Sequence, residues 1–142
     1  VCQTTYNMPR RTSNGYDYNR AAMLLAVLEK RGGLRFGSAD VYLNVIGGLR
    51  LDEPAADLAI AIAVASAALD KPAPDTLAAI GEVGLTGEIR AVNQLNQRLS
   101  ELHRLGFMRC LIPRSGTQSL HAPEGLELLR VRNIREAMAV AL

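Results

Sequence analysis

The apolar positions of this chain recur with helical spacing in some stretches and alternate in others. The longest apolar run is Asp52 to Leu69 (DEPAADLAIAIAVASAAL), broken after its acidic opening only by Asp57 and Ser66. Pro54 suits the first helical position, where a missing N–H is no loss. Asp52 or Glu53 can cap, and early acids suit the positive end of a helix dipole. A surface helix would carry a polar face. This one has almost none, so the pattern predicts a helix buried on most sides. It falls short of the about 20 strongly apolar residues that span a bilayer.

The other elements follow in order. Val1 to Asn7 predicts a strand, and Pro9 to Gly15 reads as a loop by composition. Tyr16 to Arg31 predicts a helix with Ala21, Met23, Leu24, Leu25, Val27 and Leu28 as its core face, stopped by Gly32 and Gly33. Asp40 to Leu51 predicts a strand with a bend or hairpin at Gly47 and Gly48. Asp70 to Asp75 is a turn. Thr76 to Val83 and Glu88 to Val92 predict strands joined by a hairpin at Gly84 to Gly87. Asn93 is the expected cap of a helix through Leu105, with Leu95, Leu99 and Leu102 on one side and Gly106 ending it. Phe107 to Pro113 and Leu126 to Val131 predict strands around a loop. Asn133 to Leu142 predicts a short closing helix. Strands alternating with helices, with hairpins between some, predict a mixed α/β or α+β domain, not a strictly parallel doubly wound one.

A chain of 142 residues makes one domain with a real core. It opens with Val1 and reads at once as a strand, so a fragment of a longer protein is expected. The net charge of +2 is small, but it is unevenly spread. Residues 1–36 hold Arg10, Arg11, Arg20, Lys30, Arg31 and Arg35 against Asp17 and Glu29. That basic end could face phosphates, or it could be an ordinary solvated face. Lys30 and Arg31 also suit the negative end of their helix dipole without any ligand.

The motifs exclude several chemistries. Cys2 and Cys110 form no CxxC pair, so no structural zinc site is expected within the chain. Free thiols in a reducing cytosol are the expectation, with a disulfide between them as the alternative. No signal peptide or membrane span is visible. Neither lysine, Lys30 or Lys71, belongs to a P-loop. Gly81, Gly84 and Gly87 lie between strands, so they read as turn chemistry, not a dinucleotide fingerprint. His103 and His121 have no matching ligand cluster, and no GxSxG exists. Neither lysine looks desolvated enough to activate a serine.

EPAADLAIAIAVASAALDKP followed by GEVGLTGEIRAVNQLNQRLSELHRLGF is specific. So is PRRTSNGYDYNRAAMLLAVLEKRGGL followed by DVYLNVIGGLRL. Together they resemble the C-terminal domain of the bacterial RadA (Sms) DNA-repair family, across practically the whole chain. That domain is similar in fold to the proteolytic domain of Lon protease. The resemblance implies a ribosomal-protein-type βαβ core with a mixed sheet and flanking helices. Lon carries its nucleophilic serine in a Gly-Pro-Ser-Ala-Gly run, which falls here on Glu53 to Asp57 and puts Ala55 at the serine. Lon carries its lysine in a Gly-Gly-Leu-Lys run, which falls on Asn93 to Asn96 and puts Asn96 at the lysine. Alanine has no nucleophile and an amide cannot take the proton, so the resemblance implies a fragment without peptidase activity. Asp57 stands where Lon has glycine. It is expected to serve the helix N-terminus or to bond a loop across the former cleft.

The family implies an upstream zinc-binding segment and a RecA-like ATPase, hence ATP, magnesium and zinc for the parent protein and no cofactor for this fragment. It implies a cytoplasmic homohexamer that resembles ring helicases and acts on single-stranded DNA in recombination, including branch migration. This domain would be a ring scaffold with a basic surface along the DNA. Arg10, Arg11, Arg20, Lys30 and Arg31 are the candidate phosphate contacts, since arginine forks donate paired hydrogen bonds to phosphate. Aromatic residues are scarce (Tyr6, Tyr16, Tyr18, Tyr42, Phe36 and Phe107), so base stacking is not expected. The alternative is a degenerate peptidase fold that holds a protein partner.

Overall fold

A computed structural model describes residues 1–5 and 7–142. Tyr6 lies outside the described residues. The fold is mixed α/β. Strands β1 (Cys2–Gln3), β2 (Arg11–Asn14) and β3 (Ala39–Asn44) form one sheet in the order β1-β3-β2. β1 is antiparallel and β2 parallel to the central strand. Strands β4 (Leu77–Ala79), β7 (Arg109–Pro113) and β8 (Glu127–Val131) form a parallel sheet in the order β4-β7-β8. β5 (Glu82–Val83) and β6 (Ile89–Arg90) make an antiparallel hairpin. The helices are α1 (Tyr18–Lys30), α2 (Asp57–Leu69), α3 (Leu95–Arg104) and α4 (Ile134–Ala141).

The parallel sheet is apolar on both faces because both are covered, as parallel strands require. Leu111 and Val131 turn toward α1, α2 and α4, where Leu24, Leu28, Leu58, Ala65, Ile134 and Ala137 complete the main core. Cys110 and Ile112 turn the other way. They pack with Leu99 of α3, Leu126, Ile80 and Ala55 in a second, smaller core. One strand thus feeds two cores through the period of two.

Several expected boundaries shift. The loop over residues 9–15 contains β2, whose four residues pair in register from Arg11 with Val41 to Asn14 with Asn44. Its polar side chains suit an edge strand, and composition alone mistakes that for a loop. The first strand is reduced to Cys2–Gln3. The third strand ends at Asn44 and gives way to a 3-10 turn over Ile46–Gly48, with Gly47 and Gly48 at φ +82° and +68°. The strand expected over 76–83 breaks into β4 and β5 around Gly81. Asp17 caps α1 by accepting the Arg20 N–H at 2.9 Å.

The long apolar helix opens as a 3-10 turn, Pro54–Ala56, before α2 proper. Leu58, Ala61, Ile62, Val64 and Ala65 are buried, but Ala59, Ala63 and Ala67 are exposed at intervals of four. The expectation of burial on most sides is therefore corrected. Alanine favours the helix on either surface, so an alanine stripe conceals a solvent face.

Candidate functional site

The start of α2 is fixed from three sides. The Glu53 carboxylate accepts the Ala55 N–H at 3.1 Å and caps the turn that Pro54 begins. Gly81 grips the same turn from the sheet side. Its N–H donates to the Ala55 carbonyl at 2.9 Å, and its carbonyl accepts the Leu58 N–H at 3.0 Å. A Cβ on Gly81 would lie 2.7 Å from Ile89 Cγ2, so only glycine permits this approach.

Asp57 supplies the third tie. It is fully buried in the first turn of α2. Its carboxylate accepts the Tyr16 hydroxyl at 2.6 Å and the Val83 N–H at 3.3 Å, and it forms an ion pair with Arg20. One side chain therefore joins α1, α2 and β5. Burial, and then the hydrogen bond to Asp57, push the Tyr16 hydroxyl well above its ordinary value. The same carboxylate holds Arg20 firmly protonated.

Beside this anchor lies a cleft of about 830 Å³ between the α2 start and α3. Leu51, Ala55, Ile80 and Leu102 give it an apolar floor. Glu53 and Arg98 face each other at 3.3 Å at its edge. The Ala55 N–H, and then Arg98, hold the Glu53 carboxyl below its usual range. Arg98 also donates to the Asn93 carbonyl and side-chain oxygen, each at 3.0 Å. Asn93 is thus a ligand for Arg98 and not the α3 cap. The cap position is Gln94, in the left-handed region at φ +54° with no side-chain cap.

Ala55 and Asn96, which the resemblance sets at a serine and a lysine, have different surroundings. Ala55 presents a buried methyl group to the cleft. Asn96 braces the loop between β7 and β8: its amide donates to the Ser119 carbonyl at 3.2 Å and accepts the His121 N–H at 2.8 Å. Ser66, the one serine of α2, donates to the Lys71 carbonyl at 2.6 Å.

The five basic candidates are divided by the fold. Arg20 is committed to Asp57. Arg11 is half-buried, and its guanidinium donates to the carbonyls of Ala39 and Phe36. Both arginines tie elements together. Arg10, Lys30 and Arg31 are exposed, the last two at the far end of α1. Cys2 is exposed and Cys110 buried, both as free thiols. Among the described residues no three His, Cys, Asp or Glu side chains group as metal ligands, and no helix is long and apolar enough to cross a membrane.

Residues 17–116 match the family model described as subunit ChlI of Mg-chelatase. The chain belongs to this family. Over all 142 residues it is 46% identical to the DNA repair protein RadA of Bacillus subtilis, covering 31% of that protein. It is 43% identical over 138 residues to the RadA of Streptococcus pneumoniae, covering 97% of this chain and 33% of the relative. The RadA of Listeria monocytogenes is 44% identical over 142 residues, 31% of its length. The chain thus spans about a third of the length of these curated relatives.

Some of this site was legible beforehand. The Pro54 position, and Glu53 as one of two candidate caps beside Asp52, follow from residue type, while an architectural Asp57 is what the resemblance implies. The Asn96 brace, the Arg98 bridge and the Gly81 grip join residues distant in sequence, and no local spacing signals them.

Proposed function

We propose that this chain is the Lon-type C-terminal domain of a RadA-type DNA-repair ATPase. It acts without proteolysis, as a ring scaffold and a surface for single-stranded DNA during branch migration. The observation that carries this reading is Ala55 on the floor of the cleft, at the position where the resemblance puts a nucleophilic serine. Two further features support it. Asn96, at the lysine position, is occupied in bracing a loop. Gln94 falls on the second glycine of the Lon run and has the left-handed backbone that glycine adopts without strain. Similarity to RadA proteins over at least 97% of the chain is more specific than a family description spanning 17–116, which favours DNA repair over metal chelation.

The parent protein would bring a zinc segment and an ATPase that uses ATP and magnesium, and its ring would be a cytoplasmic homohexamer. Arg10, Lys30 and Arg31 are the exposed phosphate candidates of the basic end, while Arg11 and Arg20 serve the fold. Light scattering at rising concentration tests the scaffold role, with fluorescent casein as a peptidase probe beside it. Assembly beyond a monomer with no casein cleavage is expected. A monomer at every concentration would sink the scaffold role. Steady cleavage, abolished by altering Ser66 or Lys71, would restore a peptidase.

The cleft itself favours a second reading, a protein-partner site. An apolar floor under a charged edge suits a bound chain segment. A captured partner that survives high salt and the loss of Arg10 and Arg31 would support it.

A further inference from the structure

Five arginines far apart in sequence meet at one end of the fold. β7 and β8 are parallel, so their carboxyl ends lie side by side. Arg114 directly follows β7 and Arg132 directly follows β8, and the Arg114 N–H donates to the Val131 carbonyl at 3.0 Å. The β5–β6 hairpin docks against the same end. Its Ile89 N–H donates to the Arg132 carbonyl at 2.9 Å, and Glu88 bridges to Asn133. Arg90 therefore joins Arg114, Ser115 and Arg132 around a groove of about 490 Å³. Arg135 continues the band, its Nε donating to the Arg31 carbonyl at 3.4 Å. Ligands of open α/β sheets bind at the carboxyl ends of parallel strands.

All five arginines are exposed. Among the described residues, carboxylates also approach the band, and Glu82 stands opposite Arg90 in the hairpin register. Glu88 pairs with Arg90 at 3.1 Å, and Glu136 accepts the backbone N–H of Arg132 at 3.3 Å. The Arg114 and Arg132 guanidiniums enter no ion pair among the described residues. A cluster of forked cations with so little acidic compensation holds an anion better than water does. Among the described residues no aromatic side chain lines the groove. Its ligand is therefore held by phosphate and not by stacked bases. Five cations spread over this end of the fold, with Arg31 packed beside Gly87 of the hairpin turn, fit a repeating anion better than a single one.

We propose that Arg31, Arg135, Arg132, Arg114 and Arg90 form a track for the sugar–phosphate backbone of one nucleic-acid strand. This rests on the reading that the chain binds single-stranded DNA. It moves the principal contact from the basic first quarter to the carboxyl end of the parallel sheet, and keeps only Arg31 from the earlier set.

The test is fluorescence anisotropy with a labelled oligothymidylate. It compares the unaltered chain with R114Q/R132Q, R114K/R132K and R10Q. The glutamine pair is expected to bind at least about tenfold more weakly at low salt and to lower the salt slope by about 1.4, at ~0.7 per lost phosphate contact. The lysine pair should keep that slope, and Arg10→Gln should weaken binding less than the glutamine pair does. Unchanged thermal melting of the glutamine pair separates a lost contact from a lost fold. Binding by the glutamine pair equal to that of the unaltered chain overturns the track and leaves the DNA-binding reading standing. No binding by the unaltered chain at low salt overturns that reading itself.

Discussion

The Arg20 guanidinium lies against the buried Asp57 carboxylate and couples α1 to the first turn of α2. Tyr16 and the Val83 N–H complete the shell around that carboxylate. A charge in this position is tolerable only while its partners remain. Arg20→Ala is therefore expected to destabilise the domain by about 3 kcal/mol, the low end for a broken buried pair because Arg20 is partly exposed. Tyr16→Phe removes one hydrogen bond and should cost about 1–3 kcal/mol. Urea melts of both variants check the order.

Gly81→Ala places a methyl group 2.7 Å from Ile89 Cγ2 and 3.3 Å from Leu58 Cδ2. The strand and the helix start must separate to admit it. A loss of about 1–3 kcal/mol is expected, as for other overpacked cores. Amide exchange at Leu58, whose N–H donates to the Gly81 carbonyl, should accelerate more than exchange in α4.

Burial alone pushes the Cys110 thiol from 9.0 up to about 12. The folded state thus keeps the proton to higher pH than the unfolded chain does. The corresponding stability is complete below pH 9.0 and is lost as the pH rises toward about 12. Tyr16, whose hydroxyl is also raised, adds to the loss above its ordinary value of 10.0. Denaturant melts from pH 8 upward should therefore show a steady fall, and Cys110→Ala should flatten part of it. A thiol reagent should titrate Cys2 at once in the native chain and Cys110 only after unfolding.

Asn96→Ala removes both hydrogen bonds that hold the loop at Ser119 and His121. The side chain is exposed, so the stability loss should be about 1 kcal/mol. The local effect should be larger, with the His121 amide losing its protection from hydrogen exchange. Unchanged exchange at His121 would show that the loop is held by other contacts.

The helices were largely readable from spacing, because α1 and α4 each set an apolar face against one core. β2 was hidden because an exposed edge strand of Arg, Thr, Ser and Asn has the composition of a loop. The α3 start is hidden for a similar reason. Asn93 has the right residue type for a cap, but long-range pairing with Arg98 claims its side chain. Asp57 could be marked as unusual within an apolar run, while its partners Arg20 on α1 and Tyr16 just before that helix leave no mark in the spacing. The charge imbalance of residues 1–36 was real, yet two of its arginines, Arg11 and Arg20, proved to be internal ties. Net charge counts cations without showing which ones the fold consumes.

The central claim is that this domain offers a nucleic-acid surface on a non-proteolytic scaffold. Its most direct test is the affinity of the unaltered 142-residue chain for single-stranded DNA as a function of salt. The account predicts binding at low salt, with the logarithm of affinity falling linearly as log salt rises, by ~0.7 for each phosphate engaged. The affinity should be similar for oligonucleotides of different sequence. No detectable binding at low salt, or an affinity that salt does not change, would contradict it.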